Sequence, residues 1–226
     1  MSVQAPTPLP IPTAARLHRV LEVRELSPSA YVLRMERDGL EFSPGQYINV
    51  GLAGRQDMRE YSVYSGSAED HLEILVKEVE GGLVSRRLRR CRPGDQVTVE
   101  GPFGFFTIPE EAREGRRLLL IATGTGISPF HCFASSYPGL DYRVLHGVRA
   151  ASELYEHAVF GGRVTSCLSR GGGDFDGRVT DHLRAHPADP SALCYLCGNC
   201  DMIYEAFDIL RSQGVPSRQL FAEVYF

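Results

Sequence analysis

No stretch of this chain holds the roughly 20 consecutive apolar residues that cross a bilayer as a helix. No basic segment followed by an apolar one stands at its start, so no secretory leader is read there. Basic charge is not in surplus: the net charge is −4, which excludes a whole-molecule footprint for nucleic acid. Cysteines are few, six in 226 residues, and three of them fall within seven positions. Together these absences predict a protein of the reducing cytoplasm, without structural disulfides. No internal repeat is visible. The only biased tract is the lead-in, where Pro6, Pro8, Pro10 and Pro12 predict an extended, mobile segment over 1–15.

What is there is an ordinary globular composition, long enough for one large or two modest domains. From Leu17 to about Thr107, short β-type runs alternate with turn signals such as Ser43-Pro44-Gly45 and Arg92-Pro93-Gly94-Asp95. Strands are expected over 17–23, 30–35, 47–50, 72–76 and 96–99, with one helix over 83–91. The expected fold of 16–112 is a small antiparallel barrel with a capping helix. After Pro109 the pattern changes to continuous apolar strands, over 117–122, 142–147, 163–168 and 192–196, separated by helical stretches. That alternation predicts a doubly wound parallel sheet over 113–226. The boundary is expected between Pro109 and Gly115. Arg86, Arg87, Arg89 and Arg90 on the barrel helix read either as a solvated face or as a docking patch for an acidic partner.

Several constellations carry chemistry. Arg59-Glu60-Tyr61-Ser62 alone looks like any strand. It is followed by Lys77 at a strand end, then Gly81-Gly82-Leu83-Val84-Ser85, a glycine pair opening a helix. Such a junction leaves backbone N–H groups free for an anion, and Arg59 could contact the same phosphate. Gly101-Pro102-Phe103-Gly104 adds a turn after the last barrel strand. Further on, Thr123-Gly124-Thr125-Gly126-Ile127-Ser128-Pro129 delivers a Gly-x-Gly turn into a helix. Gly124 suits the turn and Gly126 suits close approach of a ligand, although the third glycine of a dinucleotide fingerprint is missing.

Arg149, Ser169-Arg170 and Arg178 follow successive strands. They read either as separate surface groups or as a convergent site for a 2′-phosphate, where an NAD site would more often place an acidic residue. Cys194, Cys197 and Cys200 have cluster-like spacing, yet no further cysteine follows to complete a cubane. No metal site is expected. Glu223-Val224-Tyr225-Phe226 ends the chain and reads at minimum as an edge strand.

In the order and spacing of these pieces the sequence resembles the ferredoxin–NADP reductase family, bacterial type, from about Arg16 to Phe226. The resemblance implies FAD on the barrel and NADP on the parallel sheet. It implies that Arg59, Gly82 and Ser85, with the Leu83 and Val84 amides and Lys77 nearby, hold the FAD phosphates. Tyr61 would lie against the flavin ring, Ser62 beside its N5, Tyr225 on the outer face and Phe226 near the adenine. Thr123, Gly124 and Gly126 would meet the nicotinamide dinucleotide, and Arg149, Ser169, Arg170 and Arg178 its 2′-phosphate. Ser62, Cys197, Glu223 and Tyr225 would surround the point of hydride transfer. Cys200 stands where the family usually has another residue, and it has no assigned role. The implied activity is electron transfer between NADP(H) and an acidic ferredoxin or flavodoxin, by a monomer. The alternatives are an NADH-dependent reductase component of an oxygenase, and a non-enzymatic iron–sulfur or zinc protein built on Cys194, Cys197 and Cys200.

Overall fold

The structure, a computed structural model, describes residues 13–225. The leading prolines and Phe226 lie outside the described residues. Two six-stranded sheets organise the chain, the first antiparallel and the second parallel.

The first sheet runs β4-β3-β6-β1-β2-β5. Its strands are β1 (Thr13–Ser27), β2 (Ala30–Glu36), β3 (Tyr47–Leu52), β4 (Met58–Ser62), β5 (His71–Lys77) and β6 (Gln96–Phe103). An isolated bridge between Val63 and Ile74 joins the two outer strands, so the sheet curls into the expected barrel. Helix α1 (Leu83–Arg89) caps it, burying Val84 and Leu88 against the barrel core. Strand β2 is apolar on both faces for a reason. Tyr31 and Leu33 fill the barrel, while Ala30 and Val32 pack with the aromatic cluster of the second sheet.

The second sheet runs β10-β9-β8-β7-β11-β12, with every pair parallel. Its strands are β7 (Leu118–Thr123), β8 (Tyr142–Val148), β9 (Val164–Leu168), β10 (Phe175–Asp176), β11 (Leu193–Gly198) and β12 (Leu220–Val224). A short α2 (Glu110–Arg113) precedes it. Helix α3 (Ser128–Ser136) covers one face through Phe130 and Phe133. Helices α4 (Val179–Ala185) and α5 (Cys200–Ser212) cover the other through Val179, Leu183, Ile203 and Leu210. The chain proceeds outward from β7 to β10, then returns to β11 on β7's other side. That reversal places the C-terminal ends of β7 and β11 side by side, where open α/β sheets bind ligands. The C-terminal β12 does close the sheet edge, parallel to β11. Among the described residues no helix is long and apolar enough to cross a membrane.

The β7–β11 crossing is tight. A Cβ on Gly126 would sit 2.3 Å from the Cys197 carbonyl oxygen, and one on Gly198 would sit 2.4 Å from Thr123 Oγ1. Gly139, in the α3–β8 connection, has open space and an ordinary φ. Gly126→Ala is therefore expected to cost about 3 kcal/mol or more, the upper end of overpacking. Gly139→Ala should stay within about 0.5 kcal/mol. Thermal unfolding checks this, at roughly 2–4 °C per kcal/mol for a chain of this size. Equal melting points would contradict the close approach.

Candidate functional site

A cleft of about 790 Å³ opens on the barrel between β4, the end of β5 and the start of α1. Strand alternation sets its wall. In β3, Ile48 and Val50 point into the core while Tyr47 and Asn49 line the cleft. In β4, Arg59 and Tyr61 line it, and Ser62 closes its inner end at 2% exposure. The Arg59 guanidinium donates to the neighbouring Met58 carbonyl at 2.7 Å and has no carboxylate partner among the described residues. Helix α1 starts beneath it from Gly82, which provides no side-chain cap. Its first-turn amides, at Leu83, Val84 and Ser85, therefore lack a side-chain acceptor at a helix start, where the dipole favours negative charge.

A second cleft of about 520 Å³ lies at the C-terminal edge of the parallel sheet. Thr123, Gly124 and Thr125 leave β7 into it, and Gly198 and Asn199 leave β11. Arg149, Ser169 and Arg178 reach it from the ends of β8 and β9 and the start of α4. Gly147 stands where a Cβ would meet Val179 Cγ1 at 2.9 Å. Thr180, on the same wall, has a buried Oγ1 with no hydrogen-bond partner. Neither Arg149 nor Arg178 is in an ion pair with a described residue. Glu153, the acidic group nearest Arg149 in sequence, is engaged: its carboxylate accepts from the Arg149 amide at 2.9 Å. Glu205, also on this wall, is held by Arg184.

The two clefts share Lys77, Thr125 and Tyr225, and Lys77 is the one lysine of the chain. At that junction Tyr225 Oη donates to Ser62 Oγ at 2.6 Å, and Ser62 Oγ donates to Glu223 Oε1 at 2.8 Å. The Tyr225 amide donates to the Gly198 carbonyl at 2.9 Å, extending the β11–β12 ladder. Cys197 pairs with Glu223 in that ladder and is fully buried. Burial pushes the Cys197 thiol well above its ordinary value; the charge of Glu223 adds to this, and a hydrogen bond with Tyr225 opposes it. Burial likewise raises the Glu223 carboxyl, against the hydrogen bond from Ser62 and with a smaller push from Glu60.

Most of the residues singled out in the sequence converge on these two clefts. Gly126 does not. It is buried, and its missing side chain makes room for the Cys197 carbonyl. Arg170 is exposed in the turn after β9 and lies off the cleft wall. Phe226 is outside the described residues.

The arginines of α1 are largely engaged. Arg89 binds Glu25 and Glu78, Arg86 approaches Glu78, and Arg87 approaches Asp57. The cysteine spacing is split by strand geometry. Cys194 and Cys197 are three apart on β11, so their thiols fall on opposite sheet faces, one in each core cluster. Tyr47, Asn49, Gly147 and Thr180 were not read from the sequence. Period-two alternation in Tyr47–Val50 was the available signal for the first two.

A family model described as an oxidoreductase FAD-binding domain matches residues 19–108. Ferredoxin–NADP reductase of Pseudomonas aeruginosa is 30% identical, with 87% of this chain and 89% of that protein aligned. The electron transfer component of toluate 1,2-dioxygenase from Pseudomonas putida is 28% identical, over 91% of this chain and 66% of that protein. A crystal structure of a ferredoxin NADP+ reductase from Neisseria gonorrhoeae, with bound FAD and NADP, superposes with a TM-score of 0.85. It is 22% identical, and the match covers 95% of this chain and all of that one, which shows a common fold. With two clefts meeting at Tyr225 and 30% identity across 89% of the Pseudomonas aeruginosa enzyme, this chain belongs to the ferredoxin–NADP reductase family.

Proposed function

We propose that this chain takes reducing equivalents from NADPH and passes electrons singly to an acidic iron–sulfur protein or flavodoxin, or runs the same exchange in reverse. Family membership makes it an FAD-dependent oxidoreductase that exchanges electrons between a nicotinamide dinucleotide and an electron carrier. The observation that carries the finer reading is the wall shared by the two clefts, at Lys77, Thr125 and Tyr225. Both clefts are lined by these three residues, so two cofactors can meet there. In this reading residues 16–112 hold the flavin and 113–226 hold the dinucleotide.

Bound FAD supplies a centre that takes two electrons together and releases them one at a time. The chain's own groups supply the rest. Arg59 and the uncapped amides of Leu83, Val84 and Ser85 suit a pyrophosphate, because Arg59 keeps donors beyond the one given to Met58 and the amides have no side-chain cap. Tyr61 offers an aromatic surface beside them. Ser62 presents a hydroxyl whose proton already points to Glu223, so its oxygen accepts from Tyr225 and can accept from a ligand. Glu223, raised by burial, is a carboxyl able to hold a proton one hydrogen bond away from the junction. Cys197 packs beneath the same point. Thr123, Gly124 and Thr125 suit the dinucleotide, and Arg149, Ser169 and Arg178 suit its 2′-phosphate. Of the wall's acidic residues, Glu153 and Glu205 are already engaged and Asp201, among the described residues, is not; the preference for NADPH over NADH rests on Arg149 and Arg178, unpaired among the described residues.

Heat denaturation of the purified protein should release about one FAD per chain; release of FMN, or of no flavin, would contradict the assignment of the barrel cleft. Replacing Arg178 by Ala removes one charge-assisted phosphate contact, typically worth about 1.5–3 kcal/mol, or roughly tenfold or more. The kcat/KM for NADPH should fall by that factor while that for NADH holds, and Arg170→Ala should do less. Equal losses with both dinucleotides in Arg178→Ala would sink the 2′-phosphate reading.

A further inference from the structure

Behind the Gly124–Thr125 turn lies a pair of histidines that the reaction does not touch. His146, on β8, is fully buried. Its Nε2 meets the Gly124 carbonyl at 2.8 Å, and its Nδ1 meets His157 Nε2 at 2.8 Å. A carbonyl only accepts, so His146 Nε2 carries the proton. Burial keeps this imidazole neutral, lowering it to about 3, so its Nδ1 has a lone pair and His157 Nε2 must donate to it. Both tautomers are thereby fixed by the geometry of one carbonyl.

His157 is itself anchored. It opens a 3-10 turn (His157–Phe160) immediately after Glu156, which holds a left-handed φ of +45°. The Glu156 carboxylate takes Arg24 from β1 and the Tyr64 hydroxyl, the latter at 2.9 Å. The Tyr64 ring stacks on His131 of α3 at 3.8 Å between centroids. The His157 ring stands edge-on to Phe160 at 6.2 Å. The donor that reaches His146 is thus held by groups from the barrel and from the parallel sheet together.

The consequence falls on the loop. A trans peptide directs its C=O and N–H to opposite sides. With the Gly124 carbonyl drawn back to His146, the Thr125 N–H is turned the other way, toward the clefts that Thr125 lines. We propose that His146 and His157 form a positioning pair that locks this peptide plane and so presents the Thr125 amide to the bound dinucleotide. The inference rests on the dinucleotide reading of the second cleft.

Steady-state kinetics of the FAD-loaded protein with NADPH and ferricyanide test it, using three substitutions at His157. Phe keeps the ring packing and loses the donor. Ala loses both. Gln keeps an N–H at similar reach. The pair predicts that Phe and Ala each raise the KM for NADPH about tenfold, the effect of one lost polar contact. It predicts kcat within about twofold and unchanged FAD content. Gln should return KM to within about threefold of the parent. If Ala does not fold, the Phe-against-Gln contrast decides alone. A KM unchanged in Phe would overturn the pair, as would a rise that Gln fails to rescue. A parent protein without FAD or without NADPH oxidation would instead remove the underlying reading. A parent that has both, with a silent His157→Phe, would remove only the histidine pair.

Discussion

A two-step hydroxyl relay ties the barrel to the C-terminal strand: Tyr225 donates to Ser62, and Ser62 donates to Glu223. Ser62 belongs to β4 of the first sheet, and both its partners belong to the end of the second. The relay crosses the whole sequence, since Ser62 and Tyr225 are 163 positions apart. It fixes where the two clefts meet, which side of Ser62 is left for a ligand, and how deeply Glu223 is buried. The polar groups of such a junction are costly to bury singly, so each depends on the other two. Ser128 of α3 donates to the Ser62 carbonyl as well, at 3.2 Å, so the same residue also anchors the first helix of the second sheet.

Much of this was legible in the sequence, because local rules and global fold agree over long stretches. The switch after Pro109 from short alternating strands to continuous apolar ones marks the change from an antiparallel sheet to a parallel one. Gly82-Leu83-Val84-Ser85 reads as a helix start without a side-chain cap, and it is one. Other features were not legible, for reasons of distance. Gly126 looks like a ligand-facing glycine, but its demand for space comes from Cys197, 71 positions away along the chain. Arg170 shares its sequence setting with Ser169, yet the turn after β9 sends only Ser169 to the cleft wall. The alternation in β3 that places Tyr47 and Asn49 on the barrel cleft is only four residues long there. A strand's ligand face cannot be told from its solvent face until β4 is laid beside it.

The use of charge follows the same division. Arginines that join structure to structure are paired: Arg24 with Glu73 and Glu156, Arg34 with Glu73, Arg89 with Glu25 and Glu78. Cations lining the clefts, Arg59, Lys77, Arg149 and Arg178, have no carboxylate partner among the described residues. A guanidinium held in a cleft without an internal anion keeps its donors for an external one, and phosphate matches its fork. Of the α1 arginines, Arg89 is paired with Glu25 and Glu78, and Arg86 and Arg87 approach Glu78 and Asp57.

The central proposal is that Tyr225, which lines both clefts, covers a surface that one of the two cofactors needs. A stacked aromatic contact is worth about 0.5–1.5 kcal/mol beyond its burial, which a nicotinamide ring would have to overcome. The direct test is to titrate the oxidised, FAD-loaded protein with NADP+ while following the flavin spectrum, in the parent and in a chain lacking Tyr225 and Phe226. The account predicts tighter binding and a larger spectral change in the shortened chain. A shortened chain that melts earlier but binds NADP+ with unchanged affinity and an unchanged spectrum would contradict it.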